Sequence, residues 1–92
     1  TIEHIFPENY MNIEEQIDES IIYRLGNLTI LEGGLNRECA NKPFKEKKDL
    51  YKRSQYGITK EISENTEWSE DEIRSRQLNL AKIATSIWRL PY

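Results

Sequence analysis

The residue of this 92-residue chain best suited to proton transfer is its only histidine, His4, in the run Thr1-Ile2-Glu3-His4-Ile5-Phe6-Pro7. An imidazole has an unperturbed pKa of about 6.5, so near neutral pH it is largely uncharged and can take a proton. A carboxylate, Glu3, stands directly before it. Three of the amides further along bear on this: Asn27 in a Gly-Asn turn, then Asn36 and Asn41 on either side of a short segment after the next apolar run. Amide and carboxylate oxygens suit a hard divalent cation. A base and such a cation together serve phosphodiester hydrolysis, in which a water is deprotonated, charge on the phosphate is offset and the leaving oxygen is stabilised. Against this stands a plainer reading, in which His4 is a surface bystander and Asn27 serves only its turn.

The elements that must position these residues follow from pattern. Ile2 to Phe6 reads as a β-strand stopped by Pro7. In an extended strand Glu3 and His4 point to opposite faces. Both can address one site only after a bend, which Pro7 would help to make. Glu8 to Asp18 is an acidic connection, partly helical. Ser20 to Arg24 is a short helix or the entry to a second strand. Leu25-Gly26-Asn27 is a turn. Leu28 to Leu31 is β-prone and is broken by Gly33-Gly34. A helix from about Leu35 to Ala40 follows.

Asn41 and Pro43 open a further helix that runs to about Ser54, with Asn41 as a cap rather than a ligand. Gly57 ends that region, and Thr59 to Ser63 suggests one more helical turn. Ser69-Glu70-Asp71-Glu72 is a capping box. It starts the longest helix, Ser69 to about Leu90, which Pro91 terminates. On that helix Ile73, Leu80, Ile83, Ala84 and Ile87 share about a third of the circumference, with Trp88 at its edge, which predicts a core face. Arg76 projects from the same stripe and needs a partner, either a buried carboxylate or a phosphate at the site margin.

Ninety-two residues make one small domain, read as a core over 1–41 and a helical extension over 42–92. Because the histidine motif begins almost at once, the chain reads as a C-terminal piece of a longer protein. Nine aromatics among 37% hydrophobic residues argue against disorder. No apolar run approaches the roughly 18 residues of a membrane span. The single cysteine, Cys39, excludes an internal disulfide and suits a reducing cytoplasm. A net charge of −3 argues against a protein that coats DNA indiscriminately. The charge is segregated, however: Lys42 to Arg53 holds six basic residues against two acidic ones. Lys42, Lys45, Lys48 and Lys52 share one helix face, which is either solvated or able to neutralise backbone phosphates. Phe44 and Tyr51 share another.

Glu3-His4-Ile5-Phe6-Pro7 resembles the [Asp/Glu]-His-Ile-x-Pro opening of HNH (His-Me finger) nucleases. Leu25-Gly26-Asn27-Leu28-Thr29-Ile30-Leu31, then Leu35-Asn36, then Asn41-Lys42-Pro43-Phe44 with Lys47-Lys48, is similar to one HNH branch, the C-terminal domain of GmrSD-type modification-dependent restriction and phage-defence endonucleases. Tyr51 to Ser54, Thr59, Trp68, Ile73 with Arg76, and Ile87-Trp88 continue the likeness over nearly the whole chain.

The resemblance implies an α+β, mostly helical fold with a ββα-metal core and additional C-terminal helices. It implies a metal-dependent DNA endonuclease or nickase acting on foreign DNA. His4 would be the general base, Glu3 and Asn36 the ligands of a single Mg2+ (Mn2+ tolerated), and Asn27 the brace that orients His4. Lys42, Lys45, Lys48, Lys52 and Arg76 would contact the nucleic acid. The implied partners are DNA and an N-terminal sensor region of NTPase type, with an oligomer open. One departure is Glu3, where many HNH nucleases carry Asp. The alternative is a non-catalytic HNH-fold domain that binds DNA or protein, and a third reading is an acidic interaction domain in which His4 is incidental.

Overall fold

In the computed structural model, residues 1–9 and 17–88 are described, except for the side chain of Trp88. Most of the acidic connection expected over 8–18, and the helix end at Leu90-Pro91, lie outside the described residues. The elements run β1 (Ile2–His4), α1 (Glu19–Ile22), a 3-10 turn (Leu25–Asn27), β2 (Leu28–Ile30), α2 (Gly33–Cys39), α3 (Phe44–Lys52), α4 (Gly57–Ile62) and α5 (Glu70–Trp88). The described chain is thus mostly helical around a small sheet.

The β-branched and apolar residues at the two predicted strands pair antiparallel, Ile2 opposite Ile30, Glu3 opposite Thr29 and His4 opposite Leu28. The Thr1 amino group and hydroxyl extend this edge, each 3.0 Å from the Leu31 carbonyl oxygen. Alternation buries Glu3 and Thr29 on the inner face. Both are polar and both find partners there; the Thr29 and Thr59 hydroxyls lie 2.8 Å apart. The ambiguous segment after Asp18 is helical, and Asp18 caps it by accepting from the Ser20 backbone N–H at 3.0 Å.

Three helix boundaries differ from expectation. α2 begins at Gly33, two residues early, with Glu32 in the cap position and its side chain turned elsewhere. The Glu32 carboxylate accepts from the Ser54 hydroxyl at 2.7 Å and the Gln55 N–H at 2.8 Å, which ties α2 to the end of α3. The cap of α3 is Pro43, without a side-chain hydrogen bond, so Asn41 does not cap it. Gly57 opens α4 rather than closing the region before it. The α5 capping box forms in part: the Glu72 carboxylate accepts from the Ser69 N–H at 2.7 Å and from the Ser69 hydroxyl.

The core joins Ile5, Ile21, Ile22, Leu31, Tyr51 and Ile73 with Phe44 and Trp68. α5 crosses the 3-10 turn so closely that a Cβ on Gly26 would stand 2.3 Å from the Ile73 carbonyl oxygen. The Gly26 N–H donates to Gln77 Oε1 at 2.6 Å. Arg76 serves the same contact, with Nη1 donating to the carbonyls of Gly26 and Leu28 at 3.1 and 2.6 Å. Carbonyls at the end of a short helical turn need outside donors, and here Arg76 supplies them; among the described residues it forms no ion pair. The core face predicted for α5 holds only at its start. Ile73 is buried, but Ile83 is 54% and Ile87 71% exposed. Periodicity places these residues on one face, but past Leu80 that face is largely exposed. No helix among the described residues is long and apolar enough to cross a membrane.

Candidate active site

A cleft of about 220 Å³ opens beside the end of β1, with His4, Pro7, Glu8, Asn36, Ala40 and Asn41 in its walls. β1 brings His4 to it and α2 brings Asn36. The His4 ring is about a quarter exposed, stands edge-on to Tyr23 with centroids 5.9 Å apart, and sets Nδ1 3.4 Å from Glu8 Oε1. Asn36 donates its amide N–H to the Ile2 carbonyl at 3.2 Å, which steadies the side chain against β1. Ala40, at the end of α2, adopts φ 43° and ψ −127°, a strained conformation for a residue with a Cβ. That turn carries the chain into Asn41.

The chain bends at Ile5 and Phe6, after the pairing has ended. Pairing runs through His4, so the two side chains leave the strand on opposite faces. Glu3 borders the cleft, yet its carboxylate has a different occupation from the one expected. It is 5% exposed, with Oε2 accepting from the Tyr51 hydroxyl at 2.7 Å and lying 3.1 Å from the Lys47 ammonium. Cys39 is packed beside them. Burial, with the Glu3 charge adding to it, pushes the Cys39 thiol up to about 12 and the Tyr51 phenol well above its usual value. Both are therefore neutral at any working pH, and Tyr51 acts here as a hydrogen-bond donor.

Asn27 is fully buried and sits behind the histidine rather than in the cleft. Its Oδ1 accepts from the Phe6 N–H at 2.8 Å and Trp68 Nε1 at 3.0 Å, and its Nδ2 donates to the Phe6 and Ile22 carbonyls at 2.9 and 2.8 Å. Its backbone carbonyl accepts from the Ile5 N–H at 2.9 Å. One amide thereby ties the two residues after His4 to α1 and to Trp68.

Of the lysine stripe, Lys42, Lys45 and Lys52 are exposed, while Lys48 is half-buried with its ammonium 5.8 Å from the centre of the Phe44 ring. Arg76 is not at this cleft. It lines a separate groove between α4 and α5, and burial holds its pKa below the ordinary arginine value. Glu8 stands in no motif of the sequence, and Lys47 and Trp68 enter there only through the family likeness, with no role of their own. For Lys47 a signal existed: it falls three residues after Phe44 and four before Tyr51, on the face those aromatics bury. Glu8 has no comparable signal.

Two strands, an ordered turn and a helix thus frame one histidine and a polar cleft in a small, mostly helical α+β domain. A family model described as the C-terminal domain of GmrSD restriction endonucleases matches residues 1–83, and the chain belongs to that family. Searches among curated proteins and among solved structures returned no match.

Proposed function

We propose that this domain is the catalytic part of a metal-dependent DNA endonuclease or nickase, with His4 as general base. The observation that carries the reading is that the only histidine opens onto the same cleft as Asn36 and Glu8. In this reading β1, β2 and α2 are the two strands and helix of a ββα-metal core. With Nδ1 turned toward Glu8, Nε2 is the nitrogen left to take a proton from water. The carboxylate steadies the imidazolium that results.

The oxygens around the cleft are hard donors, which fit Mg2+, an ion that keeps most of its waters and binds through one or two carboxylates. Asn36 would hold it through its amide oxygen, with Glu8 the carboxylate able to join. Glu3 also borders the cleft, but its Oε2 is engaged by Lys47 and Tyr51. When bound, the cation supplies charge compensation at the phosphate and the leaving oxygen. Among the described residues no three His, Cys, Asp or Glu side chains gather as a fuller cage. Lys45, Lys48 and Lys52 run along α3 and, with Lys42 just before its start, offer a track for the DNA backbone. The substrate is foreign, modified DNA in the cytoplasm, selected by a sensor region outside this domain.

The test is nicking of supercoiled plasmid with Mg2+ or Mn2+. Wild type should relax the plasmid, chelator should stop it, and His4→Ala should lower the rate by roughly 10²–10⁴-fold, the usual contribution of a general base. Equal rates for wild type and His4→Ala would remove the base assignment. DNA binding that is intact with every cation, without nicking, would favour the non-catalytic binding domain. Replacing Lys45 and Lys48 by Ala should make binding less salt-dependent by about two units of slope.

A further inference from the structure

The most unusual side chain in the domain is not in the cleft but behind it. Lys47 is 0% exposed, as deep as any isoleucine in the core. An ammonium carries three N–H donors, and each has an acceptor here. Glu3 Oε2 lies at 3.1 Å, the His4 carbonyl oxygen at 3.0 Å and the Ile5 carbonyl oxygen at 3.3 Å. The Tyr51 hydroxyl, one turn further along α3, donates to the same Glu3 oxygen at 2.7 Å. The group therefore comprises one carboxylate, one phenol, one ammonium and the two peptide carbonyls on either side of the Ile5 α-carbon.

Burying such a pair is a poor way to gain stability, because apolar side chains of similar volume commonly do as well or better. What apolar side chains cannot do is hold two carbonyls in place. The backbone after His4 shows how complete that hold is. Lys47 takes the carbonyls of His4 and Ile5. Asn27 takes the N–H of Ile5 through its own carbonyl, and both the N–H and the carbonyl of Phe6 through its side chain. Five consecutive backbone polar groups are fixed from two directions, Asn27 from one side and Lys47 from the other.

We propose that Lys47 is a positioning residue for His4: its buried ammonium grips the His4 and Ile5 carbonyls, with Glu3 as counter-ion, and so sets where the imidazole stands in the cleft. This rests on His4 being the base, and it gives Glu3 a function that does not require it to touch the cation. It also places the grip on α3, the helix that carries Lys45, Lys48 and Lys52 on another face. The DNA track and the residue that grips the backbone of the base then share one helix. Displacements of about 1 Å at a reacting group lower rates by on the order of 10²-fold, so a grip of this kind bears on turnover rather than on binding.

The experiment uses the single histidine as its own reporter. The Glu3→Met/Lys47→Met double variant removes both charges together and keeps volume, so the core stays filled. Cooperative unfolding checks the fold, plasmid nicking gives kcat and KM, and the His4 Hε1 resonance reports the ring's surroundings. The expected result is a folded protein with KM unchanged, kcat lowered on the order of 10- to 100-fold, and a His4 resonance that is shifted or split. A folded double variant whose resonance and kcat both match wild type overturns the proposal. Glu3→Gln should leave the resonance in place, because Lys47 still reaches both carbonyls. A displacement as large as that of the double variant would assign the effect to the carboxylate and overturn the role of Lys47. If the double variant does not fold, Lys47→Arg replaces it: a planar fork cannot reproduce a point donor between two carbonyls, so the resonance must move. If wild type and His4→Ala both fail to nick DNA, the nuclease reading falls while the resonance still decides whether Lys47 positions His4.

Discussion

Exchanging Asn27 for Asp changes one NH2 group into an oxygen and leaves the shape of the side chain intact. The oxygen that accepts from Phe6 N–H and Trp68 Nε1 is kept. The two bonds donated to the Phe6 and Ile22 carbonyls are lost. At about 1 kcal/mol net per hydrogen bond their loss costs about 2 kcal/mol. A carboxylate must now face those carbonyls at a site with no exposure. That desolvation adds about 1–3 kcal/mol, offset in part because the two accepted bonds become charge-assisted. The net is a destabilisation of about 3 kcal/mol at pH 7, or roughly 12–24 °C in Tm for a domain of this size. The new carboxyl is expected to titrate above the ordinary Asp value, because the charged form is the disfavoured one. For a group raised in this way the penalty is full above the folded pKa and shrinks as pH falls through it. The gap between wild type and Asn27→Asp should therefore narrow from pH 7 to pH 5, read by thermal melts in circular dichroism. A gap below about 0.5 kcal/mol, the range of ordinary surface changes, or one that widens in acid, would refute the account of Asn27 as the buried tie behind His4.

The other expectations concern the frame around the site. Gly26→Ala would drive a methyl into the Ile73 carbonyl, 2.3 Å away; the loss should be about 3 kcal/mol in chemical denaturation, at the upper end for overpacking because the obstacle is backbone, and a loss under about 1 kcal/mol would be against it. Ala40→Gly should stabilise by about 1 kcal/mol, since relief of about 1–3 kcal/mol of backbone strain exceeds the added chain entropy; a lower midpoint would contradict the φ of 43°. The Gln55 N–H and then the Ser54 hydroxyl hold the Glu32 carboxyl below its usual 4.5. Its contribution is intact above that pH and lost as pH falls through the folded value, so Glu32→Gln should flatten the acid limb of Tm against pH; parallel curves would deny the tie between α2 and α3.

What the sequence disclosed was local, and what it concealed was long-range. β1, the turn at Gly26-Asn27, β2 and the start of α5 are set by neighbouring residues: β-branched runs, a Gly-Asn turn and a hydroxyl-to-Glu cap. They were legible for that reason. The family likeness rested on the same short stretches, and the match over residues 1–83 agrees with it. The partner of Glu3 was not legible, because Lys47 is 44 positions away and a carboxylate beside a histidine has a more obvious use. The lysines told two stories at once. Four of them fit a solvent-facing stripe, and the fifth, Lys47, fits the aromatic face that turned out to be the core. Arg76 was rightly judged to need a partner, yet carbonyls of a turn 50 residues earlier are invisible to pattern. On α5, spacing said that Ile83 and Ile87 share a face with Ile73 and could not say what that face would meet.

The central claim is that His4 and Asn36 frame one cation-dependent site. Its most direct test is the His4 Hε1 resonance during titration with Mn2+, whose paramagnetism broadens only nearby nuclei. The account predicts that the signal broadens early in wild type and stays sharp over the same range in Asn36→Ala. A His4 signal that remains sharp in wild type while acidic surface residues broaden would contradict it.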